Sequence, residues 1–130
     1  MPSRARDWFA QAQFDLSHAT YSLGNEDFEW ACFAAHQAAE KAIKAVFQSL
    51  AAQVIIGHAL HDLLAELGRT LQVPDQLLES GRVLDRHYIA PRYPNAHPAG
   101  APHFHYTRAE ATQAIGHASQ IIRFCESNLS

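Results

Sequence analysis

FAAHQAAEKAIKAVFQ, residues 33–48, is the stretch whose reading decides the fold. Alanine stands at positions 34, 35, 38, 39, 42 and 45, and with Ala31 just upstream these residues recur at three- and four-residue steps. On a helix of ~3.6 residues per turn they form one continuous side of small residues. Such a side lets neighbouring helices approach closely, so the segment reads as the central helix of a bundle, spanning Glu26 to about Ala51. A polar stripe runs through His36, Gln37, Glu40, Lys41, Lys44 and Gln48, with Glu40 and Lys44 at the favourable spacing for an ion pair.

Working outward, the same periodicity continues on both sides. Upstream, Trp8, Ala12, Leu16, Ala19 and Leu23 mark an amphipathic helix from Arg4 to about Leu23. Gly24 and Asn25 are expected to end it, with Asn25 free to cap the central helix. Downstream, a connection through QVIIG leads to a helix from about His58 to Arg69 that buries Leu60, Leu63, Leu64 and Leu67. Pro74 and Asp75 open a further helix, to about His87, carrying Leu77, Leu78, Val83 and Leu84. Pro91, Pro94, Pro98 and Pro102 then forbid regular helix over residues 89–106, because each lacks a donor hydrogen and crowds the preceding turn. A capping box from Thr107 to Glu110 starts the last helix, which carries Ala111, Ala114, Ile115, Ala118, Ile121, Ile122 and Cys125 and ends near Ser127. No run alternates as a strand does. The expected fold is all-α, an up-and-down bundle of four to five helices in one domain over residues 1–130.

Composition narrows the function classes. An apolar fraction of 48% and a charged fraction of 18% belong to an ordinary globular chain. No apolar run reaches the ~18 residues of a membrane span, and the opening MPSRARDWFA lacks an apolar signal core, so a cytoplasmic protein without membrane partners is expected. Cys32 and Cys125 lie in apolar helical contexts and read as buried free thiols. A glycine-rich phosphate loop and a nucleophilic serine elbow are both absent from the sequence, so function should reside in the proline-broken segment or in what the helices bind.

The charge distribution points to the same segment. The net charge of −3 argues against a non-specific nucleic-acid binder. Between Gly81 and Arg108, however, Arg82, Arg86, Arg92 and Arg108 face only Asp85, with His87, His97, His103 and His105 alongside. Guanidinium forks suit phosphate or carboxylate oxygens, so a small anion or a nucleic-acid backbone fits this edge; a merely solvated face is the alternative.

Four blocks carry a family resemblance: FAAHQAAEKAIKAVFQ at 33–48, HALHDLL at 58–64, LDRHYIAPRYPNA at 84–96 and YTRAEATQAIGHASQII at 106–122. In order and spacing they resemble the HEPN domain family over nearly the whole chain. The resemblance implies a dimerising helical bundle that in many members contains a metal-independent ribonuclease centre built on an Arg-x4-6-His motif. That motif falls here on Arg92 and His97. Five steps of uninterrupted helix would set the two side chains about 140° apart, so Pro94 and a bent connection are needed to aim both at one point. RNA carries its own nucleophile, the 2′-hydroxyl. A base near neutrality and a cation for the phosphoryl oxygens would therefore suffice, and His97 and Arg92 supply those chemistries.

The RYP triplet, Arg92 to Pro94, resembles a second branch, described as nucleotide-binding or as the partner of a separate minimal nucleotidyltransferase, in which the later histidine is not required. Where toxin-type members often place a tyrosine two residues after the histidine, this chain has Ala99. Two readings stay open: a toxin-like endoribonuclease with Arg92 and His97 as catalytic residues, and a non-catalytic nucleotide-binding or accessory module. In either, Arg82, Arg86, Arg92, Tyr93 and Asn95 are the expected phosphate- or nucleotide-binding residues, with RNA or a nucleotide as partner.

Weaker constellations are set against these. His97, His103 and His105 could ligate zinc or nickel, but lacking a nearby carboxylate or cysteine in the sequence they read as surface histidines, and no metal or cofactor is expected. His58 and His61 read as capping and packing residues. The DFE triplet at 27–29 opens a helix, where acidic residues complement the dipole. Tyr88, Arg92, Tyr93 and Phe104 suit a symmetric interface, and a homodimer is expected.

Overall fold

The chain is described from a computed structural model over residues 4–51 and 57–129. Five α-helices follow one another: α1 (Ala5–Gly24), α2 (Phe28–Ser49), α3 (Leu60–Leu67), α4 (Asp75–Asp85) and α5 (Arg108–Ser127). No strand occurs among the described residues, and the architecture is the expected up-and-down bundle. No described helix is long and apolar enough to cross a membrane.

The alanine side of α2 is the centre of the molecule. Ala31, Ala35, Ala38, Ala39, Ala42 and Ala45 have no accessible surface, nor do Cys32, Ile43 and Val46. α1 packs along one flank of α2 and α5 along another, while α3 and α4 pair with each other and α4 also meets α5. Small residues on α5, Ala111, Ala114 and Ala118, are equally inaccessible, so both helices approach through methyl groups. At the α3–α4 crossing Gly81 serves the same end. A Cβ there would lie 3.0 Å from the His61 backbone nitrogen and 3.2 Å from the Leu60 carbonyl carbon.

Helix ends depart from the sequence reading in instructive ways. α1 continues through Gly24, and the left-handed residue of the α1–α2 turn is Glu26, with φ of 62°. Asp27, not Asn25, occupies the N-cap of α2; the Asn25 amide instead donates to the Asp27 carboxylate at 2.9 Å. α3 begins at Leu60 and not at His58, because its free amides find a partner from elsewhere: Asp85, at the end of α4, accepts from Leu60 N at 2.6 Å and from His61 N at 3.1 Å. The QVIIG connection falls mostly outside the described residues. The Thr107–Glu110 capping box forms as expected, with reciprocal bonds of 3.2 Å.

Both cysteines are buried free thiols. Burial pushes Cys125 up to about 12, and burial followed by the nearby Glu110 and Glu29 carboxylates does the same to Cys32. Between α4 and α5 the chain runs through two short 3₁₀ turns, Pro94–Ala96 and Pro102–His105, each opened by a proline.

Candidate functional site

The proline-broken segment folds back onto α2, and Arg92 is one of the residues that join them. Its guanidinium carbon lies 4.3 Å from the Phe33 ring centroid, 4.8 Å from Tyr88 and 5.2 Å from Tyr93. Its Nε donates to the Tyr88 carbonyl at 2.8 Å. Three rings and one carbonyl thus hold the guanidinium plane, and no carboxylate among the described residues pairs with its terminal nitrogens. Cation–π contacts of this kind stabilise by about 0.5–1 kcal/mol each where exposed, and they fix direction as well. Tyr93 is half exposed and forms the outer wall.

His97 is oriented separately. Its Nε2 donates to the Ala90 carbonyl at 2.8 Å, its ring stacks on His105 at 4.3 Å with an interplanar angle of 7°, and Tyr106 meets it edge-on at 6.1 Å. A carbonyl can only accept, so Nε2 carries a hydrogen, and in the neutral ring Nδ1 is the nitrogen with the lone pair. Within one chain Arg92 and His97 therefore have different partners: the first faces the α2 aromatics, the second the His105–Tyr106 wall. His105 in turn donates to the Ala99 carbonyl, and His103 donates Nδ1 to Glu29 at 2.9 Å. His97, His103 and His105, the candidate metal ligands, thus engage three separate acceptors. The structure supplies His103 with the carboxylate that the local sequence lacks.

Tyr88 links the Arg92 cluster to a second group of polar residues. His58 stacks on the Tyr88 ring at 4.8 Å and 16°. Behind them His36, fully buried, donates Nε2 to the His58 carbonyl at 3.0 Å, while its other nitrogen faces Gln37 at 3.3 Å. Asp85 lies 3.8 Å from His36 Nε2. Burial alone would raise the Asp85 carboxyl, but His36 and the Leu60 and His61 amides outweigh it and hold the group below the usual carboxylate range. Glu40 is also buried, paired with Lys44 at 3.0 Å as the spacing predicts and with His58 at 3.0 Å. Two residues read from sequence as part of a polar stripe, His36 and Glu40, are thus interior and hydrogen-bonded.

Of these groups His58, Asp85 and Tyr88 border a cleft of about 380 Å³, whose described lining also includes Ala59, Arg86, Ile89, Ala90 and Ala96. Arg86 is exposed and forms no ion pair with any described residue. Arg82, one turn earlier, is tied to Glu79 at 3.5 Å and is largely solvated. Asn95 sits exposed in the Pro94–Ala96 turn. The described lining of a larger concavity of about 530 Å³ at the end of α1, Ser17, Thr20, Tyr21, Gly24 and Asn25, offers neither cation nor imidazole.

Of the residues the sequence offers as candidates for binding, Arg86, Arg92 and Tyr93 gather around Tyr88 or beside its cleft. Phe33, Tyr88, His58 and Glu40 complete the surroundings, and sequence reasoning does not place them beside Arg92 or its neighbouring cleft. The four-residue step from Tyr88 to Arg92 is a visible signal. Phe33 and Glu40 have none, since they look like ordinary members of an alanine-rich helix.

Comparison with known proteins follows the same lines. Residues 5–128 match the HEPN domain family. A crystal structure from Thermus thermophilus is 51% identical, with coverage of 98% of this chain and 100% of that one and a TM-score of 0.93. An archaeal HEPN homologue is 31% identical over 100% of both chains, with a TM-score of 0.82. A HEPN domain protein from Thermotoga maritima is 39% identical, covering 93% of this chain and 95% of its own, with a TM-score of 0.76. No functionally curated protein matches.

Proposed function

The chain belongs to the HEPN domain family, and from that premise we propose that it binds RNA or a nucleotide phosphate at the corner formed by Arg92, Arg86 and Tyr93. The observation that carries this reading is the Arg92 guanidinium, clamped by Phe33, Tyr88 and Tyr93 with its Nε on a backbone carbonyl and no carboxylate partner among the described residues. A cation so held keeps its terminal donors for an external anion, and the fork fits phosphate oxygens bidentately. Exposed aromatic surface beside it suits unstacked bases, which single-stranded RNA supplies. Arg86, without an ion pair among the described residues, adds a second cation at the adjoining cleft. Arg82 and Asn95, both exposed, extend the same edge.

In this reading the protein is a cytoplasmic homodimer, as accessory module or regulator, with any nucleotidyltransferase a separate chain. Arg92→Ala should weaken binding of a single-stranded RNA oligonucleotide roughly tenfold or more, by the loss of about 1–3 kcal/mol per charged hydrogen-bonding partner. Arg92→Lys should recover only part of it, since a point charge neither stacks nor forks. Fluorescence anisotropy at two salt concentrations measures both; unchanged affinity in Arg92→Ala would remove the site.

A second reading rests on His97. With Nε2 held by the Ala90 carbonyl, Nδ1 is available as a proton acceptor. Because His97 and Arg92 have separate partners within one chain, metal-independent, toxin-like cleavage by this pair calls for His97 of one subunit beside Arg92 of the other. Cleavage in chelator that His97→Ala abolishes would support it.

A further inference from the structure

Asp27 is the N-cap residue of α2, yet its side chain makes no capping hydrogen bond. An N-cap aspartate normally accepts from amides of the first turn, so this carboxylate forgoes the partners nearest to it. One of its oxygens accepts from the Asn25 amide at 2.9 Å, and no described residue donates to the other. What it meets instead is Glu29 and His103: one ligand-type atom from each of the three residues lies within 4.8 Å of the other two. Two steps along a regular helix would set Asp27 and Glu29 about 200° apart. The non-helical backbone of Asp27, with φ of −91° and ψ of 69°, is what lets both carboxylates share a side.

The charge at this corner is unbalanced. Glu29 is 6% exposed, and its hydrogen-bond partner is the His103 imidazole, with Nδ1 at 2.9 Å and 3.1 Å from its two oxygens. Among the described residues no lysine or arginine pairs with Glu29 or Asp27; Arg108, which reaches this corner from α5, is taken up by Glu26 at 3.2 Å and by the Phe28 ring. Even a protonated His103 would leave one negative charge over. The helix N-terminus supplies only about half a positive charge. A buried carboxylate stays ionised by pairing or by binding a cation, and a second carboxylate beside it adds repulsion that a divalent ion turns into attraction.

We infer that Asp27, Glu29 and His103 form a site for a divalent transition metal of the zinc class, which clips the Pro102–His105 turn to the start of α2. Ligands held about 2.0–2.2 Å from a tetrahedral ion lie about 3.3–3.6 Å from one another, so the widest gap has to close by little more than an ångström, within reach of side-chain rotation. One imidazole among the donors favours zinc, cobalt or nickel over magnesium and calcium, which take oxygen ligands. To bind, His103 must turn a lone pair to the ion, so the hydrogen that faces Glu29 leaves Nδ1. The His103 side chain is 52% exposed, and water can fill the remaining coordination position. Glu29 and His103 stand 74 residues apart in the chain, and Pro102, buried against the bundle, holds the turn in place. His97 and His105 are not members of the set, since the Ala90 and Ala99 carbonyls engage them. The site shares no residue with the Arg92 corner and does not depend on the phosphate-binding reading.

Titration calorimetry of the full chain, stripped with chelator and desalted, tests it with Zn²⁺. Wild type should bind one ion per chain, and Co²⁺ in its place should give visible d–d absorption that zinc abolishes. Glu29→Gln and His103→Ala should each weaken binding at least tenfold, about the smallest loss that disturbing a metal ligand produces, whereas His105→Ala should change it less than about twofold. Zinc should also raise the Tm of the wild type and leave that of His103→Ala where it was, because an ion that binds only the folded chain stabilises it. Should Glu29→Gln fail to fold, His103→Ala, at an exposed position, carries the test. Absence of saturable zinc binding overturns the site. Binding that survives His103→Ala is adventitious and overturns it as well, and so does an equal loss in His105→Ala, which would return the ligands to the histidines of the proline-broken segment. Displacement of zinc by an equal concentration of Mg²⁺ or Ca²⁺ would overturn the imidazole as a ligand and the proposal with it.

Discussion

His87 shows how one side chain can set a pH limit on the whole fold. It is 7% exposed, its Nδ1 has no hydrogen-bond partner, and Tyr106 packs against its ring at 5.8 Å. Burial, reinforced by the positive fields of His36, Arg86 and His117 and partly opposed by Glu110, lowers it from 6.5 to about 4. Between those values the unfolded chain binds a proton that the folded chain refuses, so stability is full above about 6.5 and declines as pH falls towards 4. The loss attributable to this residue is on the order of 3 kcal/mol. Thermal melts should therefore show Tm falling across that window, and His87→Phe should flatten the slope; an unchanged slope in the variant would assign the effect elsewhere. Asp85 acts in a different window. Its carboxyl is held below the usual range, so the stability it contributes is present above about 3.8 and is lost only as pH falls further.

At the scale of elements, the α3–α4 pair depends on two features that neither helix shows alone. Asp85 closes the open amides of α3 from the end of α4, and Gly81 lets the two backbones touch. In Gly81→Ala the new methyl would meet main-chain atoms, which cannot swing aside as a flexible side chain would. The helix-propensity gain of about 1 kcal/mol for replacing glycine should be outweighed by overpacking of about 1–3 kcal/mol. Urea unfolding should give a lower midpoint for this variant, and a stabilised protein would show that the crossing can open without cost. Asp85→Ala should cost about 1–2 kcal/mol by the same assay through loss of the cap. It should also disturb the His36–His58 arrangement, since the amide it caps lies two residues beyond His58.

On the scale of the molecule, much aromatic surface is left facing outward: Phe14, Tyr21 and Phe104 are 69%, 79% and 81% exposed, and Trp30 and Tyr93 are about half exposed. Aromatic and arginine-rich surface of this kind suits an interface core, which favours self-association. Sedimentation velocity at micromolar concentration should show a dimer. A clean monomer would withdraw the cross-subunit reading of His97 and Arg92.

The alanine spacing of residues 31–45, the leucines of α3, the prolines of 91–102 and the Thr107–Glu110 box were enough to read five helices and the break between the fourth and fifth. Those signals are local: periodicity, capping and the missing donor of proline act over one or two turns. Arg92, Tyr93 and Arg86 were legible as an electropositive, proline-bent edge for the same reason. What tertiary structure alone decided was which side chains those residues meet. Phe33 lies beneath Arg92, Glu40 behind His58 and Asp85 under α3, across separations of 18 to 59 residues that no local pattern encodes. A buried charge must be paired, and the partner is chosen by whichever helix packs beside it. Hence the fold was readable along the chain, and the chemistry became readable only once the helices were brought together.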